Sequence, residues 1–366
     1  MAWSKPEHAG SRTPLVDVGT HNGSFHADEV VAFTVLQTAL KALGGLAVLR
    51  RTRDRDHLAE CKILLDVGAE YDPDRERYDH HQNNPPLRPD GETPYSTAGL
   101  IWEHYGRIYL RAALVDMAHR DRANRPFATL EDADIETIWR DLDQQVFLVL
   151  DRVDNGRLVP DATSFASQVD RMNPSWRSDP FPEEFDDAFK KAVSFAQTFL
   201  EQAIARAAEP ILARDFVLGA HATNKSFKNG IFPPADPRIL ILDRKGVPWM
   251  DVVHQEGLPV LYAVAPTADG SWSITCMPPE PGSFAQKLPL PEAWAGLRDA
   301  ELAAVTGVKD AVFCHRNRFC GGARSYEGVI AMVDRALELG TGLKLGAYVE
   351  EAGADLEAEE EDAPAP

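Results

Sequence analysis

The hydrophobic pattern in the first half of the chain alternates between short β-rich runs and helical repeats. Strands are predicted for three runs, PLVDV at 14–18, LAVLR at 46–50 and KILLDVG at 62–68. Helices are predicted where apolar residues recur at helical spacing, at about 30–43, 96–113 and 132–152. Strands that alternate with helices predict an α/β domain with a mostly parallel sheet flanked by helices. Ligands of such a domain bind at the carboxyl ends of its strands.

The second half of the chain begins with a loop and a helix and then changes its pattern. An Asn-, Ser- and Pro-rich loop is predicted for 160–182, and a helix follows at about 184–208. After Pro210 the segments ILILD, PVLYAVAP, SWSITCMP and AVFCH predict strands, and a final helix is predicted near 325–339. The sequence therefore predicts a smaller C-terminal α/β domain. The predicted organisation is a first domain at 1–165, a linker loop and connecting helix at 166–212, a second domain at 213–345 and a disordered acidic tail at 346–366.

The composition is typical of a soluble globular protein. The 366 residues are 44% apolar and 26% charged, and this length is enough for about two domains of ~100–200 residues each. The formal net charge is −19, so the surface repels duplex DNA and acidic membranes unless a basic patch acts locally. Eight acidic residues and no basic residue follow Lys344.

The cysteines and the N-terminal residues indicate the compartment. Cys61, Cys276, Cys314 and Cys320 lack the C-x-x-C spacing of zinc and redox sites, and four cysteines are too few for a disulfide framework in a chain of this length. The N-terminal segment MAWSKPEHAGSRTP has no apolar signal-peptide core. We therefore expect reduced thiols and a cytoplasmic protein.

Four polar clusters carry the candidate chemistry, although each is weak alone. They are His21-x4-His26-x-Asp28 after the first strand, Asp66 at the end of the third strand, Asp79-His80-His81 in a loop, and Asp154 in Asp-Asn-Gly. Imidazoles and carboxylates that converge in one crevice can bind a divalent metal. This mixture fits Mn²⁺, with Fe²⁺, Zn²⁺ and Mg²⁺ as alternatives, of which Mg²⁺ prefers an all-oxygen shell.

Five ordered motifs make the chain similar to a known family. They are GTHNGSFHADE, DVGAEYDPDRERYDHHQ, STAGLIWEHYG, DRVDNG and HRNRFCGGARSYEG, within residues 15–340. In this order they resemble the melanocyte-proliferating-gene exonuclease family, a branch of the DHH phosphoesterase superfamily. The resemblance implies a DHH-like catalytic domain, a DHHA1-like substrate-binding domain and two divalent cations, usually Mn²⁺. It also implies a 3′-to-5′ ribonuclease, as in the family's best-described members.

The resemblance assigns a role to each polar cluster. The implied ligands are His21 and His26 for one metal, Asp28, His80 and Asp154 for the other, and Asp66 as the bridge. His81 is expected to face the phosphate. Asp79 is expected to orient the neighbouring histidines, because a ligating imidazole usually donates its other N–H to an oxygen. Asp66, Asp79 and His81 are therefore the predicted catalytic residues.

The charge of the implied ligand set suits a phosphate substrate. Three carboxylates and two divalent cations leave the filled site with a charge of about +1, which attracts an anion locally. A water that bridges two cations ~3.5–4 Å apart loses its proton near neutral pH and attacks phosphorus. This mechanism needs no covalent intermediate on the protein.

A glycine pair in the second domain is the other candidate site. Gly321 and Gly322 lie between Arg318 and Arg324 and precede a predicted helix that begins near Ser325. Free glycine N–H groups, a helix N-terminus and a forked guanidinium can all hold phosphate. In the superfamily a glycine-rich motif of the second domain binds substrate, so we expect these four residues to do so here.

The sequence predicts a divalent-metal-dependent phosphodiesterase, a 3′-to-5′ exonuclease on short single-stranded RNA or oligonucleotides. A small-nucleotide or pyrophosphate phosphohydrolase is the alternative, and a non-catalytic metal-binding scaffold is a third. We expect no binding of duplex DNA or membranes, because the surface is acidic. The sequence leaves open whether the protein forms a homo-oligomer.

Two local choices also stay open. Asp151 competes with Asp154 for the metal site, and we favour Asp154 because it aligns with the superfamily's final aspartate motif. The basic cluster at 50–55 fits either a substrate groove or a solvated loop, since its arginines alternate with aspartates. These arginines are Arg50, Arg51, Arg53 and Arg55.

Overall fold

Two five-stranded sheets organise the residues that the structure describes. The computed structural model describes residues 13–178, 181–223 and 236–346. The chain divides into two compact units, Met1–Ala208 and Glu209–Pro366, each with one of the sheets. The acidic tail predicted for 346–366 lies outside the described residues from position 347 onward. No helix in the described part of the chain is long and apolar enough to cross a membrane.

A mostly parallel sheet forms the centre of the first unit. Its strands are β1 (Leu15–Thr20), β2 (Leu46–Arg51), β3 (Ile63–Leu65), β4 (Tyr71–Asp72) and β5 (Arg77–Tyr78). The spatial order is β2-β1-β3-β5-β4, in which only the edge strand β4 pairs antiparallel. The prediction of an α/β fold with a mostly parallel sheet is confirmed. The carboxyl ends of β1, β2, β3 and β5 therefore lie at one edge of this sheet.

Helices flank this sheet. They are α1 (Ala27–Ala42), α2 (Arg55–Glu60), α3 (Thr97–Arg120), α4 (Asp132–Leu142), α5 (Leu148–Asp154) and α6 (Phe165–Asp170). α1 packs against α3, and apolar side chains such as Val30, Leu36 and Trp102 are fully buried. Burial of this apolar surface is the main favourable term in folding. A π-helical turn at Asp143–Phe147 separates α4 from α5 inside the predicted helix, and such turns are frequent at functional sites.

The segment predicted as a loop at 160–182 contains α6. The Ser164 side chain accepts a hydrogen bond from the Ser167 N–H and caps the helix. The Phe165 ring stacks on Phe199, with ring centroids 4.4 Å apart. One cap and one aromatic contact thus stabilise a helical turn that the polar composition did not predict.

The connecting helix α7 (Pro182–Thr223) is longer than predicted. A proline within a helix removes one backbone hydrogen bond, and the predicted helix therefore stops before Pro210. The apolar stripe nevertheless continues to Val217 and Ala220, which are buried in an apolar cluster with Trp249. Burial of this stripe offsets the hydrogen bond that Pro210 removes. The boundary between the two units falls within α7.

The second unit contains a mixed five-stranded sheet with helices packed against it. Its strands are β6 (Ile239–Ile241), β7 (Tyr262–Pro266), β8 (Trp272–Cys276), β9 (Ala311–Cys314) and β10 (Cys320–Ala323). The helices that follow α7 are α8 (Trp249–Gln255), α9 (Asp299–Thr306) and α10 (Tyr326–Thr341). The spatial order is β6-β7-β8-β10-β9, with only β6 and β7 parallel. Val329, Met332 and Val333 of α10 are buried in the core of this unit.

The glycine pair that the sequence singled out lies in a strand. Gly321 and Gly322 lie in β10, which pairs with β8 on one side and β9 on the other. A Cβ atom at Gly322 would lie 2.6 Å from the backbone oxygen of Trp272. The close approach of the neighbouring strand therefore explains this glycine. The expectation of free glycine N–H groups at these positions is wrong, because both residues lie between two paired strands.

Candidate metal centre

Polar side chains collect at the carboxyl edge of the first sheet. His21 follows β1, Asp66 follows β3, and residues 79–81 follow β5. Asp28 lies in the first turn of α1, and Asp154 is the last residue of α5. Among the described residues, ligand atoms within 4.8 Å of one another form four overlapping groups: His21 with His26 and Glu29; Asp28 with His80 and Asp154; Asp28 with Glu29 and Asp66; and Asp66 with Asp79, His80 and His81.

Asp66 lies between two histidines. Its Oδ2 is 3.2 Å from Nε2 of His21, and its Oδ1 is 3.4 Å from Nε2 of His80. The His21 Nε2 also lies 3.1 Å from an oxygen of Glu29, and the His80 Nε2 lies 3.1 Å from an oxygen of Asp154. Each oxygen of Asp66 therefore faces a different group of ligands. This is the position that a carboxylate needs to bridge two cations.

The backbone of Asp66 adopts an unusual conformation. Its φ is 54°, in the left-handed region that costs most non-glycine residues about 1–3 kcal/mol. Aspartate tolerates this region better than most residues. The Asp66 N–H donates to the Tyr78 carbonyl at 3.0 Å, and the Thr97 hydroxyl donates to Asp66 Oδ1 at 3.3 Å. These contacts hold the carboxylate at the sheet edge, and such strain often occurs at functional sites.

The surroundings of Asp28 fit a cation. Both of its carboxylate oxygens are buried, and neither accepts a hydrogen bond from the described residues. A buried polar group without a partner costs folding free energy. A divalent cation would supply the missing partner, and the imidazoles and carboxylates around Asp28 are the donor set that transition metals accept. The residues at this site therefore fit the metal ions that the sequence predicts.

Burial and mutual repulsion shift the protonation of this cluster. Burial raises the pKa of Asp28 well above its ordinary value, and the nearby Asp66 and Asp154 raise it further. Burial opposes protonation of His21, but hydrogen bonds to Asp66 and Glu29 outweigh it and raise the pKa of His21 to about 10. Without a cation, this cluster therefore retains protons that a bound metal would displace.

Asp79 organises the loop that carries the two adjacent histidines. It is buried, and its Oδ1 accepts hydrogen bonds from the His80 N–H at 2.7 Å and the His81 N–H at 3.1 Å. The same oxygen lies 2.7 Å from Nδ1 of His81, and Oδ2 accepts from the Ala69 N–H at 2.6 Å. The His81 side chain is 60% exposed. Asp79 thus fixes the orientation of a solvent-facing imidazole.

Glu29 is a site residue that sequence reasoning missed. It is fully buried, and its carboxylate accepts the His26 N–H at 2.9 Å while it contacts His21. The signal in the sequence is the spacing of His26 and Glu29, which matches a capping box at the start of a helix. With Glu29 the four groups contain five carboxylates, Asp28, Glu29, Asp66, Asp79 and Asp154. Each carboxylate beyond the three of the implied ligand set would make a metal-loaded site more negative than the predicted charge of about +1.

Asp154 lies in the cluster, whereas Asp151 lies outside it and has protein partners. Asp151 is buried and accepts hydrogen bonds from the N–H and the hydroxyl of Ser96 at 2.9 and 2.7 Å. It also pairs with the Arg88 guanidinium, which binds Asp143 as well. The Ser96 hydroxyl therefore binds Asp151 and does not cap α3 with its side chain.

A cavity of about 1600 Å³ opens at the cluster. All of the predicted site residues of the first unit line it, namely His21, His26, Asp28, Asp66, Asp79, His80, His81 and Asp154. Four arginines, Arg53, Arg55, Arg75 and Arg77, also line it. The cluster is therefore accessible to a ligand considerably larger than an ion.

The predicted site residues of the second unit lie in and beside β10. Arg318 has a φ of 59° in the turn before β10, and its Nη1 donates to the Leu290 carbonyl at 3.4 Å. Arg324 follows β10. Its Nη2 lies 3.8 Å from Oδ1 of Asp299, and both side chains are exposed. The substrate-binding role of these residues and of Gly321 and Gly322 stays a prediction.

Comparisons with known proteins place these observations in a family. The MYG1 exonuclease family model, described as "Uncharacterised protein family (UPF0160)", matches residues 17–337. The MYG1 exonuclease of Bos taurus is 33% identical over 346 residues, which are 87% of this chain and 84% of that protein. The MYG1 exonuclease of Homo sapiens is 33% identical over 363 residues, which are 91% of this chain and 90% of that protein.

A solved structure was also found at low similarity. It is the exonuclease RecJ bound to manganese, with a TM-score of 0.24 and 18% sequence identity, over 72% of this chain and 78% of that chain. The resemblance predicted from the five motifs is confirmed by the family match and the two relatives.

Proposed function

This chain belongs to the MYG1 exonuclease family and is a hydrolase of phosphoester bonds, and from that premise we propose that it is a divalent-metal-dependent 3′-to-5′ exonuclease on short single-stranded RNA or oligonucleotides. The observation that carries the proposal is the position of Asp66, with one carboxylate oxygen toward His21 and the other toward His80. The unpartnered Asp28 carboxylate supports it. The polarity of cleavage comes from the family resemblance.

Two sets of ligands on either side of Asp66 would hold the metal ions. The first set is His21, His26 and Glu29, and the second is Asp28, His80 and Asp154. The mixture of imidazole and carboxylate favours Mn²⁺, with Mg²⁺, Fe²⁺ and Zn²⁺ as alternatives. When bound, two divalent ions would lower the pKa of water that attacks phosphorus and would stabilise charge on the phosphate.

Residues of the chain itself would orient the substrate. Asp79 holds Nδ1 of His81, so the exposed His81 imidazole has a fixed direction at the cavity. With its Nδ1–H donated to Asp79, the neutral imidazole accepts at Nε2, and the doubly protonated ring donates from Nε2 to a phosphate oxygen. Loss of Asp79 would therefore release His81 and lower the rate.

The acidic surface limits the substrates and partners that we propose. A net charge of −19 disfavours long duplex DNA and anionic membranes and favours short strands that enter a cavity. The four cysteines are free thiols, three of them buried, which supports a cytoplasmic location. A homo-oligomer is compatible with the proposal.

End-labelled RNA tests the proposal directly. Wild-type protein with Mn²⁺ is incubated with short RNA, short DNA, a dinucleotide and pyrophosphate, and RNA labelled at either end reveals the direction of shortening. We expect Mn²⁺-dependent release of mononucleotides from the 3′ end. Asp66→Asn should abolish turnover, because the amide cannot bridge two cations, while asparagine accepts the left-handed backbone of this position.

A matched control separates the bridge from a general loss of charge. Asp17→Asn makes the same chemical change in β1, at a partly exposed residue that pairs with Arg50 and lies outside the cavity lining. This variant should retain full turnover. Cleavage confined to the dinucleotide or pyrophosphate would place the protein among the small phosphohydrolases, and no cleavage with metal bound would indicate a scaffold.

A further inference from the structure

We propose that Arg53 and Arg55 form a binding site for the phosphates of an oligonucleotide beyond the phosphodiester that is cleaved. The inference rests on the proposed function and specifies its substrate class, an oligonucleotide of three or more residues. Both arginines line the cavity that contains the metal centre. Their side chains are exposed and make no hydrogen bond or ion pair with the described residues.

The charge balance of the metal centre requires cations elsewhere in the cavity. The five carboxylates of the centre carry up to five negative charges, which would more than offset the charge of two divalent ions. The charge of the whole chain is strongly negative. An oligonucleotide that enters the cavity therefore depends on arginine side chains for electrostatic attraction. The forked guanidinium is well suited to phosphate oxygens.

The sheet topology places the two arginines beside the metal centre. β2 is parallel to β1, and Thr20 pairs with Arg51 at the ends of the two strands. The Thr52 N–H donates to the Thr20 carbonyl at 2.8 Å, one residue before His21. Arg53 therefore leaves β2 at the same edge where His21 leaves β1.

The structure separates the four arginines of the basic cluster by their contacts. Arg50 pairs with Asp17 at 2.8 Å and does not line the cavity. The Arg51 guanidinium is buried, donates to the Gly23 carbonyl at 2.7 Å and holds the loop between His21 and α1. Only Arg53 and Arg55 of this cluster line the cavity. The substrate-groove alternative therefore applies to these two arginines and not to Arg50 and Arg51.

The neighbouring aspartates do not cancel these charges by direct pairing. Asp54 accepts hydrogen bonds from the backbone N–H groups of Asp56 and His57 and caps α2. Neither Asp54 nor Asp56 lines the cavity. Hydrogen bonds to the helix end thus occupy the Asp54 carboxylate, and the guanidinium groups of Arg53 and Arg55 stay available to a ligand.

The other two arginines of the cavity already have protein partners. Arg75 pairs with Glu70, and the Arg77 Nη1 donates to three backbone carbonyls. The cavity volume of about 1600 Å³ exceeds the ~300–1,000 Å³ of a typical small-ligand site. A mononucleotide or pyrophosphate leaves most of this space empty, whereas a short strand can extend from the metal centre to Arg53 and Arg55.

The test compares Arg53→Ala/Arg55→Ala with Arg50→Ala on two substrates, a dinucleotide and a pentanucleotide RNA with Mn²⁺. A dinucleotide contains only the phosphodiester that is cleaved, so the double variant should lose little activity on it and more activity on the pentanucleotide. For the pentanucleotide we expect kcat/KM to fall roughly tenfold or more, mainly through KM. Arg50→Ala removes a neighbouring positive charge outside the cavity and should retain wild-type values on both substrates.

Salt dependence provides a second readout that a structural defect does not imitate. Pentanucleotide binding to the Asp66→Asn protein is followed by fluorescence anisotropy at increasing KCl concentration. Removal of two phosphate contacts should lower the slope of log affinity against log salt by roughly 1.4, at about 0.7 per contact on a single strand. This binding assay works even if the protein cleaves no RNA.

The outcomes distinguish the two proposals. If the double variant loses no more than Arg50→Ala, or loses equally on both substrates, the arginine site is overturned while the nuclease function stands. If the Asp66→Asn protein binds the pentanucleotide through these arginines but wild type does not cleave it, the site stands and the proposed function fails. If there is neither binding nor cleavage, both are overturned.

Discussion

Two buried carboxylates of the first unit, Asp28 and Asp151, have opposite surroundings. Asp151 accepts two hydrogen bonds from Ser96 and pairs with Arg88. Asp28 accepts none from the described residues and has acidic neighbours. Burial raises the pKa of both, but Arg88 and Ser96 oppose the rise at Asp151, whereas the nearby acidic residues add to the rise at Asp28. A carboxylate with protein partners is structural, and one without them suits an external cation.

Packing supports the same distinction. A Cβ atom at Gly99 would lie 2.5 Å from an oxygen of Asp151, so the helix α3 packs directly on this carboxylate. The Asp28 side chain instead lines the large cavity. Protein atoms therefore surround the Asp151 carboxylate, whereas the Asp28 carboxylate borders a cavity that a ligand can enter.

The largest effect that we expect is on stability at Asp151. Asp151→Asn removes one of the two carboxylates that compensate the buried Arg88, and because Asp143 remains, the weakened hydrogen bonds should cost about 1–3 kcal/mol. Urea unfolding in EDTA measures this. The matched control is Asp154→Asn on the same helix, which should leave the unfolding free energy nearly unchanged in EDTA. Equal destabilisation by the two variants would remove the contrast between the clusters.

A smaller effect of opposite sign is expected at Asp28. Asp28→Asn removes a buried acid whose ionised form three nearby acids repel, so the metal-free protein should gain roughly 1 kcal/mol of stability. The same urea titration measures this gain. The variant should lose the extra stability that Mn²⁺ gives to wild type. A strong destabilisation in EDTA would mean that Asp28 has a structural partner.

The stability of the metal-free protein should also depend on pH through His21. His21 has a pKa of about 10 in the folded state against 6.5 as its ordinary value, so the folded state binds more protons than the unfolded state in this range. Its contribution to stability is complete below pH 6.5 and is lost as the pH rises toward 10. The His21→Gln variant should show a flatter decline in thermal unfolding experiments, and identical slopes would contradict the assignment.

The sequence predicted more of the first unit than of the second for physical reasons. The predicted strand ends at His21 and Asp66 share one edge in any parallel sheet, so their convergence follows from the pattern. Asp79 is predicted only in a loop, because the two-residue strand β5 before it is too short to give a strand pattern. Glu29 escaped because its spacing from His26 also fits an ordinary helix cap. The same spacing fits a helix cap and a residue of the metal site, and only the burial of Glu29 beside His21 distinguishes the two roles.

The errors elsewhere come from tertiary packing. Gly322 favours a loop by its own propensity, but the close approach of Trp272 explains a glycine within a strand. Pro210 favours the end of a helix, but the buried residues Val217 and Ala220 extend it. In both cases distant residues decide the local structure, which a single sequence does not reveal.

Electron paramagnetic resonance titration with Mn²⁺ tests the central claim most directly, because it counts free and bound ions. The account predicts two Mn²⁺ ions per wild-type chain and per Asp17→Asn chain, and fewer for Asp28→Asn and Asp66→Asn. Wild-type protein that binds no Mn²⁺, or an Asp66→Asn variant with the same stoichiometry and affinity as wild type, would contradict it.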